Sequence, residues 1–340
     1  MSGLILDKHP SFLQQREAGS PAPGAQEAGA ILLLVIWILA LLSVVVLSWA
    51  QEWRTEIRLS ANFRDDRQCH HLAEAGIYYA LTKLTAAKFA ESQPLSLEAM
   101  GQAAAANPWN GDQRSHLLEL SAGKVEVRVA DEGGKINLNY ADGLVLKNLL
   151  EILGFPAEKV PVMVDSILDW RSPDVRAHPF GAKSPYYLSL DPPYPAKEGL
   201  FDTVEELGWV RGFVGIDLSR LSPYLTVQGQ SRQINLNTAP KEVMLALSLP
   251  PDLVATLVQQ REVAPLRSQE VLPQLSVDPQ LQLILPYLNF KSSIFFSVLA
   301  TGMVNNTEGA RHTIKAMVQV DNQGVTPDKF LYWADDYPDN

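Results

Sequence analysis

Histidine, cysteine and carboxylate side chains are the residues of this chain that could bind a metal ion, and most of its histidines lie far apart in the sequence. The exception is the run Cys69-His70-His71. Neighbouring side chains on a helix point about 100° apart, so His70 and His71 are not expected to converge on one ion. His70 and Glu74, one turn apart, could do so, but a solvated helix face explains the same pattern and is more common. The six histidines are His9, His70, His71, His116, His178 and His312.

Short catalytic motifs are absent from the sequence. It contains no H-E-x-x-H, no G-x-S-x-G, no phosphate-binding loop of the type G-x-x-x-x-G-K-[ST] and no G-x-G-x-x-G. These motifs place a zinc ligand set, a nucleophile or a phosphate cradle at a defined turn. We therefore predict that the protein is not an enzyme.

The stretch INLN occurs twice, at residues 136–139 and 234–237. Each copy predicts a short extended segment, with Asn139 or Asn237 and the residue after it placed to cap a helix. In the second copy, Pro240 lies near the first turn of the following helix. The pair of units is similar to helix-hairpin-helix segments of DNA-binding proteins.

DNA binding through these units is disfavoured by their loops and by charge. A helix-hairpin-helix meets phosphate through a glycine-rich hairpin, whereas the corresponding loops here read LGFPAEK and SLPPDL. The net charge is −10, so there is no excess of Lys and Arg to displace counterions. We expect no nucleic acid partner and interpret INLN as a repeated packing unit.

Residues 30–50, AILLLVIWILALLSVVVLSWA, carry no charge. At 1.5 Å per residue, such a helix is about 30 Å long and matches the hydrocarbon core of a bilayer. A buried helix of a soluble protein rarely runs so far without a polar face. A cleaved signal peptide usually has a shorter apolar region behind a basic start. The segment is predicted to span or anchor in a membrane.

The residues after this segment continue with good helix formers to about residue 90. Apolar positions recur there at three- or four-residue steps, interrupted by Arg64 and Gln68, and predict a face for packing against a partner or a domain. The positions assigned to helix packing are Ile57, Ala61, Leu72, Ala75 and Tyr79.

The order of the remaining elements predicts the fold class. An alternating strand, Val125, Val127 and Val129, precedes a helical block, and three strand-like segments follow it. The outer strands can share one sheet only if the block is an insertion. We predict an α+β fold in which a long N-terminal helix packs on a small antiparallel sheet that carries a large inserted α-helical domain. The predicted domains are residues 1–29, 30–50, 51–134, 135–289 and 290–340.

These features resemble the K-type (GspK) minor pseudopilins of the type II secretion pathway, within the wider group of type IV pilin-like proteins. The resemblance runs over nearly the whole chain from Gly29. It is carried by HLAEAGIYYAL on the helix, by GKINLN and ILDW, and most specifically by the succession PYYLSLDPPY, VEELGWVRG and INLNTAP.

The resemblance implies a single-pass protein of the bacterial inner membrane with its C-terminal domain in the periplasm. A prepilin peptidase would remove residues 1–29 by cutting between Gly29 and Ala30. Glu27-Ala28 stands where the family has a basic residue before the glycine. Lys and Arg are also denser after the apolar segment than before it, which opposes this orientation by the positive-inside rule. A large domain can be exported largely regardless of flanking charge, so we keep the implied orientation.

The resemblance also gives a meaning to Leu34, the fifth residue after the implied cleavage site. Most pilin-like subunits have a glutamate there, understood to pair with the N-terminal amine of a neighbouring subunit. A carboxylate in lipid is costly unless it is paired, and a subunit with no neighbour above it has no amine to pair with. K-type proteins lack this glutamate and are placed at the filament tip. A leucine within an apolar segment also needs no special explanation.

Calcium is the cofactor that the resemblance implies, and the sequence by itself assigns none. Related proteins are said to bind it through acidic loops of the inserted domain, and such a site needs several carboxylate and carbonyl oxygens. Helix caps and solvated turns explain the same aspartates equally well, and Lys183 stands where the family tends to be acidic. The candidates are Asp165, Asp169, Asp174 and Asp191.

The function predicted from the resemblance is that of a non-enzymatic minor pseudopilin that initiates or caps a periplasmic filament for protein export across the outer membrane. Its expected partners are I- and J-type pseudopilins, with the H-type as a further candidate, together with the prepilin peptidase and the inner membrane. The alternative with the same architecture is a minor pilin of a type IV pilus, and a membrane-anchored DNA-binding protein ranks third.

Overall fold

The computed structural model describes residues 24–92, 109–276, 278–305, 309–320 and 329–337. Most of the predicted leader and most of the loop predicted at residues 92–115 lie outside these ranges. The chain divides into two compact units, residues 1–63 and residues 64–340.

Helix α1 spans Gly24–Ser92. The sequence has neither glycine nor proline between residues 30 and 75, so nothing interrupts the hydrogen-bond ladder over that stretch. Within the first unit, the large apolar side chains of residues 31–49 are between 40% and 73% exposed. Within the second unit, one face of the helix is buried, at Cys69, Leu72 and Ile77 among others.

A five-stranded antiparallel sheet lies against that buried face. Its strands stand in the order β1-β2-β7-β8-β9. They are β1 (Asp112–Leu120), β2 (Gly123–Asp131), β7 (Phe295–Val304), β8 (Arg311–Gln319) and β9 (Lys329–Ala334). In β2, the predicted alternation is seen directly, because Val125, Val127 and Val129 are buried and join a core that includes Ile77 from α1 and Ile314 from β8.

Two glycines let the helix approach the sheet closely. A methyl group at Gly76 would lie 2.6 Å from Val125 Cγ1, and one at Gly302 in β7 would lie 2.1 Å from the backbone oxygen of Cys69. Any larger residue at these positions would push helix and sheet apart. The ATG strand of the sequence, residues 300–302, owes its glycine to this contact.

The helical block is inserted between two strands that pair with each other. β2 ends at Asp131 and β7 begins at Phe295, yet the two form a continuous antiparallel ladder. The block has its own buried core, which includes Tyr187 and Phe213. Its elements are β3 (Ile136–Asn137), α2 (Gly143–Ile152), α3 (Val160–Arg171), α4 (Ser184–Tyr187), β4 (Leu225–Thr226), β5 (Ile234–Asn235), α5 (Lys241–Ala246), α6 (Pro251–Val263), α7 (Ser268–Leu275), α8 (Pro279–Gln282) and β6 (Leu288–Asn289).

The two INLN stretches occupy equivalent places in this block. Each begins a two-residue strand that pairs in parallel with a partner, β3 with β4 and β5 with β6. Each then leads into a helix pair, α2 and α3 or α5 and α6. The two helix pairs contact each other, and Asn148 Nδ2 of α2 donates a hydrogen bond to the backbone oxygen of Ala246 in α5 at 3.0 Å.

The expected capping role of the INLN asparagines is wrong. Helix α2 begins after Asp142 and α5 after Pro240, and neither residue makes a side-chain cap hydrogen bond. Instead, the side-chain amides of Asn139 and Asn237 each form two hydrogen bonds with the backbone of a residue that is distant in the sequence. Asn139 binds the N–H and C=O of Phe201 at 2.7 and 3.0 Å, and Asn237 binds those of Leu266 at 2.7 and 3.1 Å.

Two half-buried arginines complete the repeat. Arg171 donates to the backbone oxygens of Leu138 and Ala141, and Arg261 donates to those of Leu236 and Ala239 at 3.0 and 2.6 Å. Burial lowers the pKa of both guanidinium groups. Each arginine thus ties the last turn of a helix pair to the INLN stretch that precedes the pair.

The observed architecture confirms the predicted fold class, with three differences in detail. Residues 203–212, TVEELGWVRG, have a sequence that predicts a helix, but they form only a short 3₁₀ helix, Val204–Trp209. The hairpin strand β1 was missed because its residues follow a loop-like stretch and alternate weakly. Helix α7 was missed because it contains Pro273. The residue boundaries given for the domains stay predictions.

Candidate functional sites

The apolar segment at residues 30–50 is the largest exposed apolar surface among the described residues. It lies on a helix that is long and apolar enough to cross a membrane by length and composition, with a mean hydropathy of 3.3 over its most apolar window and none of that window buried. Exposed apolar area costs roughly 25 cal/mol for each Å² left in water. A surface of this kind requires a lipid or protein environment.

The residues assigned to processing and to the tip-specific position lie on this helix. Gly29 and Ala30 are exposed, and no atom of the described residues lies within 4 Å of the position that a methyl group would take at Gly29. Leu34 is 59% exposed. The structure therefore leaves both sites accessible, which a peptidase and a neighbouring helix would each require.

The five residues assigned to helix packing do not share one environment. Ile57, Ala75 and Tyr79 are exposed, and Ala61 is half-buried. Leu72 is 5% exposed and lies in the core between α1 and the sheet, so it packs on a domain of its own chain, whereas the sequence left a partner and a domain as alternatives. The physical reason is that a three- or four-residue period does not distinguish a helix face that packs within the chain from one that packs on another chain.

The aspartates proposed as calcium ligands include two that form hydrogen bonds with other residues of the loop after α3. Asp169, at the end of α3, is fully buried, and its Oδ1 lies 2.7 Å from His178 Nδ1. The backbone N–H of His178 also donates to this carboxylate at 3.2 Å. Asp165 Oδ2 accepts a hydrogen bond from the backbone N–H of Phe180 at 3.0 Å. These two carboxylates fix the loop that follows α3.

The ammonium group of Lys183 binds backbone oxygens that a calcium ion would need as ligands. It is 6% exposed, and its Nζ donates to the backbone oxygens of Asp169 at 2.8 Å and of Ser172 at 2.6 Å. Carbonyl oxygens of this kind are the donors that calcium requires. Asp174 is exposed and bonds Ser172 Oγ at 3.0 Å, and Asp191 is exposed beside a cis peptide bond to Pro192. Among the described residues, no three of these carboxylates lie within 4.8 Å of one another, so calcium at this loop stays a prediction.

The histidines of α1 are closer together than their positions predicted. One ligand atom from each of His70, His71 and Glu74 lies within 4.8 Å of the others, so the expectation that the adjacent histidines cannot converge is wrong. Rotation about χ1 and χ2 brings two neighbouring rings to a centroid distance of 5.4 Å. His70 also meets His312 from β8, a long-range contact that no local pattern in the sequence could have revealed.

Cys69, the single cysteine of the chain, does not act as a nucleophile in this environment. It is fully buried, and burial raises the pKa of its thiol. A raised pKa keeps the group in its unreactive thiol form. Its Sγ donates to the backbone oxygen of Ala310 at 3.4 Å, which is a structural role.

Among the comparisons with known proteins, the match to a family model lies in the middle of the chain. Residues 124–230 match the family model described as type II secretion system (T2SS), protein K. The type II secretion system protein K of Pseudomonas aeruginosa is 27% identical over 234 residues, which cover 64% of this chain and 67% of that protein. The protein of the same name from Aeromonas hydrophila is 24% identical over 245 residues, covering 66% of this chain and 71% of that protein.

A solved structure shows the same fold. One chain of the crystal structure of the GspK-GspI-GspJ complex from the enterotoxigenic Escherichia coli type 2 secretion system superposes with a TM-score of 0.60 at 18% sequence identity. The match covers 84% of this chain and all of that chain. At this identity the likeness is evidence for the fold.

Proposed function

We propose that this chain is a member of the type II secretion protein K family, whose model and named relatives it matches, and that it acts as a minor pseudopilin at the tip of the type II secretion pseudopilus, where it initiates or caps filament assembly. The observation that carries the proposal is the exposed apolar surface of residues 30–50. Before assembly lipid would cover this surface, and after assembly the helices of other subunits would cover it.

The inserted block supports a role at the end of a filament. It spans the sequence between β2 and β7 and buries a core of its own, so it adds a bulky domain to one end of the small sheet. Such a domain would block the addition of a further subunit. Leu34 fits the same place, because a tip subunit has no amine above it for a glutamate to pair with.

I- and J-type pseudopilins are the proposed partners, with the H-type as a further candidate. The solved structure that shares this fold is of a complex with those two protein types. Partner helices would meet exposed positions of α1 such as Ile57, Ala75 and Tyr79. Leu72 does not contribute, since its side chain is already buried within the chain.

The proposed location is the inner membrane, with residues 1–29 on the cytoplasmic side and the folded domain in the periplasm. Cleavage between Gly29 and Ala30 is tested by coexpression with the prepilin peptidase and mass spectrometry of the mature N-terminus. We expect a chain that begins at Ala30, and a Gly29→Val variant that keeps its leader because the branched side chain blocks the cut. Gly24→Val, within the same leader, is the matched control and should be cleaved normally.

Complementation of a deletion strain tests the function itself. Without this gene, exported enzymes should accumulate in the periplasm, and the wild-type gene should restore their release. The Leu34→Glu variant should restore it less well, since it adds a carboxylate without a partner. Normal secretion together with loss of surface pili would show instead that the chain serves a type IV pilus.

A further inference from the structure

We propose that His70, His312 and Asp335 form a binding site for a divalent transition-metal ion, with Zn²⁺ as the ion that suits them best. One ligand atom from each of the three residues lies within 4.8 Å of the others. The site is separate from the acidic loop of the inserted block and from the apolar part of α1. It does not depend on the proposed role in secretion.

Three different elements bring these side chains together. His70 lies on α1, His312 lies on β8, and Asp335 directly follows β9. His312 stands opposite Gly302 in the β7–β8 ladder, and Gly302 faces α1, so His312 points toward the helix. The rings of His70 and His312 have centroids 4.9 Å apart.

Each of the two histidine rings has a carboxylate beside it. Asp335 Oδ1 lies 3.5 Å from His70 Nε2 and accepts a hydrogen bond from Trp333 Nε1 at 2.9 Å, which orients it. Asp66 Oδ1 lies 3.5 Å from His312 Nδ1. Both aspartate side chains are more than half exposed, so an ion can enter from solvent.

Two ring nitrogens of this cluster have unmet hydrogen-bonding capacity. His312 is 9% exposed, and its Nε2 is buried without a hydrogen-bond partner among the described residues. His70 Nδ1 is likewise buried and without a partner in the part of the chain that the structure describes. A buried polar atom left unpaired destabilises the folded chain. A bound ion would remove that cost at a ring nitrogen that becomes its ligand.

The donor set selects the class of ion. Two imidazoles with one carboxylate suit Zn²⁺, whereas calcium and magnesium prefer oxygen donors alone. Zinc binds nitrogen at about 2.0–2.1 Å in a tetrahedron, which places neighbouring donor atoms about 3.3 Å apart. The three side chains would therefore close by small rotations around the ion, and a water molecule would supply the fourth ligand.

The consequence for the fold is a link between the edge strand β9, strand β8 and helix α1. Anything that binds the folded chain alone raises its unfolding temperature. At a Zn²⁺ concentration of about 100 Kd, we expect a rise of the order of 5 °C.

Titration of the full chain with Zn²⁺ tests the site. The protein is purified in detergent without a polyhistidine tag, and binding is followed by calorimetry and by the absorption of Co²⁺ as a probe. We expect one site per chain, at least tenfold weaker in His312→Gln and in Asp335→Asn. His71→Gln is the matched control and should bind as the wild type does, since His71 belongs to the neighbouring group with His70 and Glu74 and not to the proposed site.

The two variants keep the test decisive. If His312→Gln does not fold, Asp335→Asn remains informative, because the Asp335 side chain is 54% exposed and its replacement keeps the shape. The proposal is overturned if the wild type gains no stability and no heat of binding from Zn²⁺. It is also overturned if His71→Gln loses binding while His312→Gln and Asp335→Asn keep it.

Discussion

Asp131 Oδ2, at the end of strand β2, accepts a hydrogen bond of 2.8 Å from Asn235 Nδ2, within the second INLN stretch. The same oxygen accepts a hydrogen bond from Thr238 Oγ1 at 2.9 Å, and Oδ1 accepts from the backbone N–H groups of Gly133 at 2.9 Å and Ser293 at 3.0 Å. Asp131 is 2% exposed. One buried carboxylate thus fastens the sheet to both ends of the inserted block and to its second repeat.

Removing this carboxylate should destabilise the folded chain strongly. Asp131→Ala removes the acceptor of four hydrogen bonds, and we expect a loss of about 3 kcal/mol or more in the free energy of unfolding. Denaturant unfolding in detergent measures it. Asp252→Ala, at an exposed position in the first turn of α6, should cost no more than about 0.5 kcal/mol. Equal losses in the two variants would contradict the account of Asp131.

Gly76→Ala should also destabilise the protein, although alanine favours a helix by about 1 kcal/mol over glycine. The added methyl group would lie 2.6 Å from Val125 Cγ1 and 3.2 Å from Ala300 Cβ, so helix and sheet must separate. We expect a net loss of about 1–3 kcal/mol. At Gly199 the nearest atom to an added methyl lies 3.7 Å away, so Gly199→Ala should be neutral within about 0.5 kcal/mol. A stabilised Gly76→Ala protein would show that the contact is looser than described.

Lysine should not replace either arginine of the repeat. Arg171 and Arg261 each bind two backbone oxygens with one planar group, whereas an ammonium on a flexible stem presents a single charged point. Arg171→Lys and Arg261→Lys should each lower the unfolding free energy by about 1–3 kcal/mol. Arg176→Lys, at an exposed position, is the control and should change nothing measurable. If all three variants unfold at one denaturant concentration, the arginines do not brace the repeats.

Alkaline pH should weaken the inserted block through Tyr187. Burial raises the pKa of this phenol to about 12, against about 10 in an unfolded chain. The folded state therefore favours the neutral phenol, and this stabilisation is complete below pH 10 and is lost as the pH rises from 10 to 12. Tyr187→Phe lacks the ionisable group. The stability of the wild type relative to this variant should fall by the order of 2 kcal/mol over that interval, as measured by urea unfolding. A constant difference would mean that Tyr187 ionises as freely in the folded protein as in the unfolded chain.

The sequence was sufficient for the elements that have a strong local pattern. The apolar run at residues 30–50 predicted an exposed apolar helix, the alternating valines of β2 predicted a half-buried strand, and the repetition of INLN predicted repeated packing units. The order of these elements was enough to expect an insertion between paired strands, because two outer strands can meet only if the block between them folds separately.

The features that the sequence did not reveal depend on long-range contacts. Asparagine is a residue type that often caps helices, but the side chains of Asn139 and Asn237 accept hydrogen bonds from the backbone of Phe201 and Leu266. Leu72 has the helical spacing expected of a residue that faces a partner, but the sheet of its own chain covers it. The contact between His70 and His312 joins positions far apart in the chain. Local periodicity carries no information about such partners.

Copurification of the full chain with I- and J-type pseudopilins of the same organism tests the central claim most directly. All three proteins are coexpressed with the prepilin peptidase, extracted in detergent and separated by size. The account predicts one complex that contains all three chains, with this chain beginning at Ala30. A chain that elutes alone, and that still carries residues 1–29, would contradict it.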